Sequence, residues 1–215
     1  MPFSESIRTK VLLWSDRHCC LCKKPCGINI EVAHIENEVE GGKNVLDNAI
    51  PLCFECHGNI GHYNPKHPKG TKIKAEEIKK RREQIYDEFT QHLVPPISCL
   101  LTQKSERKLP DVGCELTHRS NSLPVRVLVK VMVLSNNNKR SSIFKDGYYS
   151  GKKEWNLNPL DSICGHFSLP QEYSGRIDIL VCIDVVIIDQ YERKHKHLPV
   201  HYRYSHERQD WVLEP

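Results

Sequence analysis

The sequence predicts an α+β protein in two parts: a small, cysteine-stapled N-terminal domain and an antiparallel, β-sandwich-like C-terminal domain. Three observations carry the prediction. Six of the ten cysteines (Cys19, Cys20, Cys22, Cys26, Cys53 and Cys56) are crowded into one short segment of a 215-residue chain. Residues 72–93 repeat apolar side chains at helical spacing, and after Pro124 the repeat changes to period two, as in strands. The expected boundaries are 1–93 for the first domain, 94–122 for a linker and 123–215 for a β-rich recognition or sensor domain.

Each element follows from its residues. Residues 4–17 read as a short helix, with Ser4 or Ser6 as cap and Ile7, Val11 and Trp14 on one face. From Cys19 to about Tyr63 the pattern is short strands, turns and candidate metal ligands. Residues 72–93 form an amphipathic helix whose stripe is Ile78, Ile85 and Phe89, with Arg82 on the same side, and Pro95-Pro96 ends it. Three prolines and a polar run from Thr102 to Lys108 mark the linker, with one strand expected near 112–117. Valines at 125, 127, 129, 131 and 133 alternate along one strand, and Ile177, Ile179, Val181, Ile183, Val185 and Ile187 along another. His201–Tyr204 and Trp211–Leu213 are expected to close as a hairpin. No internal repeat is visible.

Composition narrows the class. A mean hydropathy of −0.53 and 27% charged residues are ordinary for a soluble protein. The chain has no apolar run of about 18 residues, which argues against a membrane span. Met-Pro-Phe-Ser-Glu-Ser is not the start of a signal peptide, so a cytoplasmic location is expected. The formal net charge of +4 permits a nucleic-acid partner without requiring one. The local balance says more. From Lys66 to Arg82 the basic residues outnumber the acidic ones by six, and Lys72, Lys74, Lys79 and Arg82 are candidates for phosphate contact. The competing reading of that run is a solvated helix face.

In a reducing compartment crowded cysteines are better read as metal ligands than as disulfides. Cys19-x2-Cys22 and Cys53-x2-Cys56 are two knuckles, each offering two thiolates from a tight turn. Together they make a tetrahedral structural Zn²⁺ site. Cys20 and Cys26 are alternatives at the first knuckle, but Cys19 with Cys22 mirrors the second pair. A module this small would need the metal to fold. Cys99, Cys114, Cys164 and Cys182 are scattered and read mostly as packing groups.

Between the knuckles run Glu31-Val32-Ala33-His34-Ile35, then Gly41-Gly42, then Asn48-Ala49-Ile50-Pro51-Leu52-Cys53, ending in Cys56-His57. Hydrolysis of a phosphodiester needs a base for water and a cation for the charge that develops on phosphate. His34, at the end of a short strand, suits the base. A hydrogen-bonded surface histidine is the plainer alternative. Over about residues 10–65 this order and spacing resembles the HNH endonuclease family in its four-cysteine form. The resemblance implies a zinc-bound ββα-metal domain that hydrolyses DNA, with RNA left open as substrate. It also implies that His34 is the base, that Asn48 orients His34 or braces the loop, and that His57 binds a catalytic Mg²⁺ or other divalent cation. His62 is a candidate to complete that cation site or to contact phosphate.

One residue departs from the family's commonest pattern. Ala33 stands where many members carry a metal ligand, although other branches share the Ala-His-Ile version. Glu31 should lie on the strand face of Ala33 and is a candidate to assist. The second half resembles no family. Its Tyr148–Pro159 segment, rich in aromatic and basic residues, is either a base-stacking loop or an irregular hairpin, and Arg193–His197 is expected to be a solvated turn. Three readings follow: an active endonuclease, in the setting of bacterial defence against phage; a non-catalytic zinc-dependent nucleic-acid-binding protein; or an effector switched on by a protein or ligand acting on the β domain.

Overall fold

The computed structural model describes residues 3–61, 73–102, 111–135, 141–142, 154–168 and 179–214. The chain divides into two compact units, Met1–His92 and Leu93–Pro215.

In the first unit, helix α1 (Glu5–Trp14) starts where Ser4 Oγ accepts the Ile7 N–H at 3.4 Å, and it buries Val11 and Trp14. Strands β1 (Ile30–His34) and β2 (Ala49–Cys53) form an antiparallel pair, with Ile30 opposite Cys53 and His34 opposite Ala49. All five residues of β2 are buried, so Ile50 and Leu52 form the centre of this small core. Helix α2 (Phe54–Gly61) follows β2 directly, giving the compact β-β-α order. Helix α3 (Ala75–Thr90) buries Ile78, Ile85 and Tyr86, and Tyr86 meets Trp14 edge-on at 5.5 Å between centroids. It is shorter than its apolar period predicts. A 3-10 turn, Gln91–Leu93, takes up the end, because the approach to Pro95-Pro96 cannot hold α-helical bonding.

The second unit holds two antiparallel sheets. Strands β3 (Ile97–Thr102), β4 (Asp111–His118) and β8 (Ser162–Ser168) form one, in the order β3-β4-β8. The other has seven strands. Its spine is β5 (Val125–Ser135) against β9 (Ile179–Ile188), paired from Arg126 opposite Ile188 to Ser135 opposite Ile179. Strands β6 (Ser141–Ser142) and β7 (Glu154–Leu157) pair with β5, whereas β10 (Lys194–Lys196) and β11 (Val200–Ser205) pair with β9. Strand β12 (Asp210–Glu214) completes the expected hairpin with β11. Side chains of both sheets share one core, from Cys99, Leu101, Val112 and Leu116 to Val127, Val131, Ile183 and Trp211. Tyr202 ties the sheets by donating to the Cys99 carbonyl at 3.1 Å.

Two expectations are corrected. Residues 94–122 are not a linker with one strand; they supply both β3 and β4. Ile97, Cys99 and Leu101 alternate inward, a period-two signal that the prolines and the polar run obscured, whereas the strand expected near 112–117 is β4, with Val112, Cys114 and Leu116 inward. The Arg193–His197 segment is not simply a solvated turn. Arg193 and His195 are buried, and His195 Nε2 lies 2.8 Å from the buried carboxylate of Asp189, whose other oxygen accepts the Tyr191 and Arg193 N–H groups. Of the Tyr148–Pro159 segment, residues 148–153 lie outside the described residues; Glu154–Leu157 is strand, with Leu157 in the core. Among the described residues, no helix is long and apolar enough to cross a membrane.

Candidate active site

The four knuckle thiols converge. Cys19 and Cys22 lie in a turn closed by the Lys23 N–H to Cys19 carbonyl bond at 2.9 Å, with Lys23 at φ 63°. Cys53 ends β2 and Cys56 lies in the first turn of α2. Their Sγ atoms all fall within 4.8 Å of one another. Zinc–sulfur bonds of about 2.3 Å in a tetrahedron place sulfurs about 3.8 Å apart, and Cys22 and Cys53 are 3.8 Å apart. The donor set therefore fits a closed four-thiolate metal site. Burial opposes charge on Cys53, but the Cys56 N–H at 3.4 Å and the neighbouring thiols outweigh it and hold its thiol down at about 7. The two alternatives have other roles. Cys20 is buried, burial pushes its thiol up, and its N–H donates to the Pro51 carbonyl. Cys26 Sγ turns to the Lys24 carbonyl at 3.2 Å.

Cys53 and Cys56 flank the β2–α2 junction, and this junction carries His57. His57 Nδ1 lies 2.6 Å from Glu31 Oε2 across the β1–α2 corner, with both side chains about half exposed. Ala33, on the same strand face as Glu31, is buried and offers no donor. The pair of an exposed imidazole and a carboxylate fits a hard divalent cation that keeps water ligands. His62 and Lys72 lie outside the described residues.

His34, at the end of β1, sits on a different set of contacts. The Phe3 ring stacks on it at 4.2 Å, Asn44 Oδ1 lies 2.7 Å from its Nε2, and Glu38 Oε1 is 3.6 Å away. Asn44 and Glu38 belong to the loop 36–48, which Asn48 holds shut. Asn48 is buried, accepts the Glu36 N–H at 2.8 Å and donates to the Glu36 and Lys43 carbonyls at 3.0 Å each. Of the two roles foreseen for Asn48, bracing the loop is the one its side chain performs; its contacts are to this backbone and not to the His34 ring. The Gly41-Gly42 pair has the same purpose. Gly41 takes a φ of 91°, and a Cβ on Gly42 would fall 1.8 Å from the Glu36 carbonyl oxygen.

Helix α3 grips the same loop, which corrects the expectation for two of its basic residues. Arg82 is 5% exposed and points inward. Its guanidinium donates to the Asp47 carbonyl at 2.7 Å, to the Ala49 carbonyl at 3.2 Å and to Asp47 Oδ1 at 3.2 Å. Lys79 pairs with Asp47 at 3.2 Å and Glu36 at 3.6 Å. Arg82 is thus a buried brace with no face for a phosphate, and Lys79 is committed to the loop. Along the same helix Lys80 and Arg81 pair with Glu76 and Glu77, so the positive charge of the run is largely answered locally. Lys74, at the helix N-cap, is exposed. The sequence reading missed Phe3, Glu38 and Asn44, because contacts made by an irregular loop leave no period to detect.

Lys79 first, and then Arg82, hold the Asp47 carboxyl below its ordinary value of 3.8. A depressed carboxylate stabilises the fold above its unfolded value, and that contribution is lost as pH falls through the folded value. The urea midpoint of Asp47→Asn is therefore expected to lie below that of the parent at neutral pH. The gap should shrink as pH drops below 3.8, and a gap constant through acid would assign the loss to packing alone. Asp47 is well exposed, so the effect will be modest.

In the second unit, an open cleft of about 430 Å³ lies at one end of the seven-stranded sheet, bordered by Arg126, Asn156, Asn158, Gln190 and Glu192. Arg126 lies 2.7 Å from Glu154 and 4.0 Å from Glu192.

Residues 19–62 match the family model described as HNH endonuclease, and this segment is an HNH endonuclease domain. The match covers the four clustered cysteines, β1, the braced loop, β2 and α2; the rest of the chain is unassigned. It implies nuclease activity, a phosphodiester hydrolase acting on nucleic acid. No curated protein matches the chain.

Proposed function

We propose that this protein is a metal-dependent endonuclease that hydrolyses DNA phosphodiester bonds, with His34 as general base. The observation that carries this reading is the family-matched β1–loop–β2–α2 unit, which presents His34 on a clamped ring and His57 beside Glu31. In the reaction, a water oxygen forms the new bond to phosphorus while its proton passes to His34. The bond to the leaving oxygen breaks, and its electron pair stays on that oxygen, which is then protonated from solvent. A divalent cation such as Mg²⁺, when bound, supplies electrostatic stabilisation of the charge that develops on the phosphate. His57 would hold it, with Glu31 keeping the imidazole in place. His62 remains a proposed additional ligand. The four cysteines would hold a structural Zn²⁺, in a reducing compartment such as the cytoplasm. Of the basic residues singled out near α3, Lys74 is exposed and available to a phosphate, with Lys72 proposed beside it.

The domain division supports a separate task for the β unit: it guides or regulates the nuclease. The cleft beside Arg126, lined by amides and charged groups, is where a small polar ligand or a protein would act. A place in bacterial defence against phage rests on the analogy of compact nucleases joined to sensing domains.

The test is cleavage of supercoiled plasmid by the full chain with Mg²⁺ or Mn²⁺. Wild type should consume supercoils, and His34→Ala should be slower by about a hundredfold to ten-thousandfold, the usual worth of a positioned base. Folded, zinc-loaded wild type that leaves both plasmid and RNA intact, with or without candidate activators, would overturn constitutive catalysis and favour a binding role.

A further inference from the structure

We propose that Asn44 and Glu38 set the tautomer of His34, making Nδ1 the ring nitrogen that receives the proton. This deepens the reading of His34 as the base and rests on it. Asn44 Nδ2 donates to Glu38 Oε1 at 3.0 Å, while Asn44 Oδ1 faces His34 Nε2 at 2.7 Å. A carboxylate accepts hydrogen bonds and donates none, so Glu38 must receive the NH2 end of the amide. The oxygen end is then turned to His34. An amide oxygen also only accepts, so the hydrogen of the neutral imidazole sits on Nε2 and the lone pair on Nδ1.

The rest of the surroundings keep the ring in that pose. Phe3, itself buried, lies against one face with 25° between the ring planes. The loop carrying Glu38 and Asn44 is tied by Asn48 and by the Gly42 N–H to Asn37 carbonyl bond at 2.9 Å. Nδ1 has no hydrogen-bond partner among the described residues. When Nδ1 takes the proton of the attacking water, the imidazolium that results has the Asn44 carbonyl at its other nitrogen and the Glu38 carboxylate 3.6 Å away. Asn44 and Glu38 are positioning residues that act through His34.

Long-range proton–nitrogen correlation spectra of the ¹⁵N-labelled full chain, taken at a pH where the ring is neutral, read the tautomer directly. Wild type should show one state, hydrogen on Nε2. Glu38→Gln keeps the shape but allows the amide chain to run in either direction, so the second tautomer should appear. Asn44→Ala should likewise lose the single state, and its kcat should fall by up to about a hundredfold, the cost of a misplaced catalytic group. Its KM should change little. The double variant Asn44→Asp with Glu38→Gln again places a pure acceptor on Nε2 and should restore the single tautomer. A side chain that merely filled space would not produce that rescue. Hydrogen on Nδ1 in the wild type, or a tautomer indifferent to both single changes, would overturn the proposal. If the tautomers follow this pattern while no protein cleaves nucleic acid, the tautomer assignment stands and the reading of His34 as a base fails.

Discussion

Loss of the four-thiolate metal is expected to unfold the first unit while the β unit keeps its strands. Binding of a structural zinc by a small module is worth roughly 10–16 kcal/mol at neutral pH. A whole domain is commonly stable by only about 5–15 kcal/mol. The first unit has a thin core, centred on Val11, Ile50, Leu52, Ile85 and Tyr86. Without the metal, nothing of comparable strength joins the Cys19–Cys22 turn to the β2–α2 junction, and four thiols within 4.8 Å of one another are left without a shared ligand. A strong chelator, or Cys53→Ser, should remove most of the helical circular dichroism, because the described helices all lie in this unit. Metal analysis should give one zinc per chain for the parent and none for Cys53→Ser. Cys26→Ser serves as the control and should keep its zinc. Retention of the helices after complete zinc removal would show that the core alone carries the fold.

Arg82→Ala is the second large effect expected, a loss of about 1–3 kcal/mol, the usual cost of leaving buried hydrogen-bond acceptors unanswered. The guanidinium answers the Leu46, Asp47 and Ala49 carbonyls and the Asp47 carboxylate, and lies 5.8 Å from the Tyr86 ring centroid. Truncation leaves the Ala49 carbonyl, in the buried strand β2, without this donor. Arg82→Lys separates structure from nucleic-acid contact. It keeps the charge but loses the planar fork. As a brace, Arg82 predicts a clear fall in the urea midpoint for Lys as well as Ala. DNA affinity, measured where both variants remain folded, should be nearly unchanged. A variant of full stability with a large, salt-dependent loss of DNA affinity would return Arg82 to the phosphate-binding surface.

Arg82 also shows how far a sequence reaches. Its place on the apolar side of α3 was legible from the helical period alone, yet a basic run beside a nuclease motif favours phosphate as partner. Only the structure supplies the competing acceptors, the carbonyls of a loop some 35 positions earlier in the chain. Asn48 behaves in the same way. Its presence in the motif was plain, but its bonds to Glu36 and Lys43 follow from how the loop closes.

The β strands divide along a similar line. Val125–Val133 and the run ending at Ile187 announced themselves because one buried face forces strict alternation. Strand β3 was hidden, since proline and polar neighbours weigh on any local average while its inward residues are only three. By itself, the sequence determined the α+β class, the knuckle cysteines, the motif around His34 and His57, and the main sheet strands. All of these rest on local spacing, which a chain carries before it folds. The tertiary structure alone decided that Arg82 turns inward, that Glu31 meets His57, and that Asn44 and Glu38 hold His34. Those pairings join residues through an irregular loop or across separate elements, where neither period nor propensity records a partner.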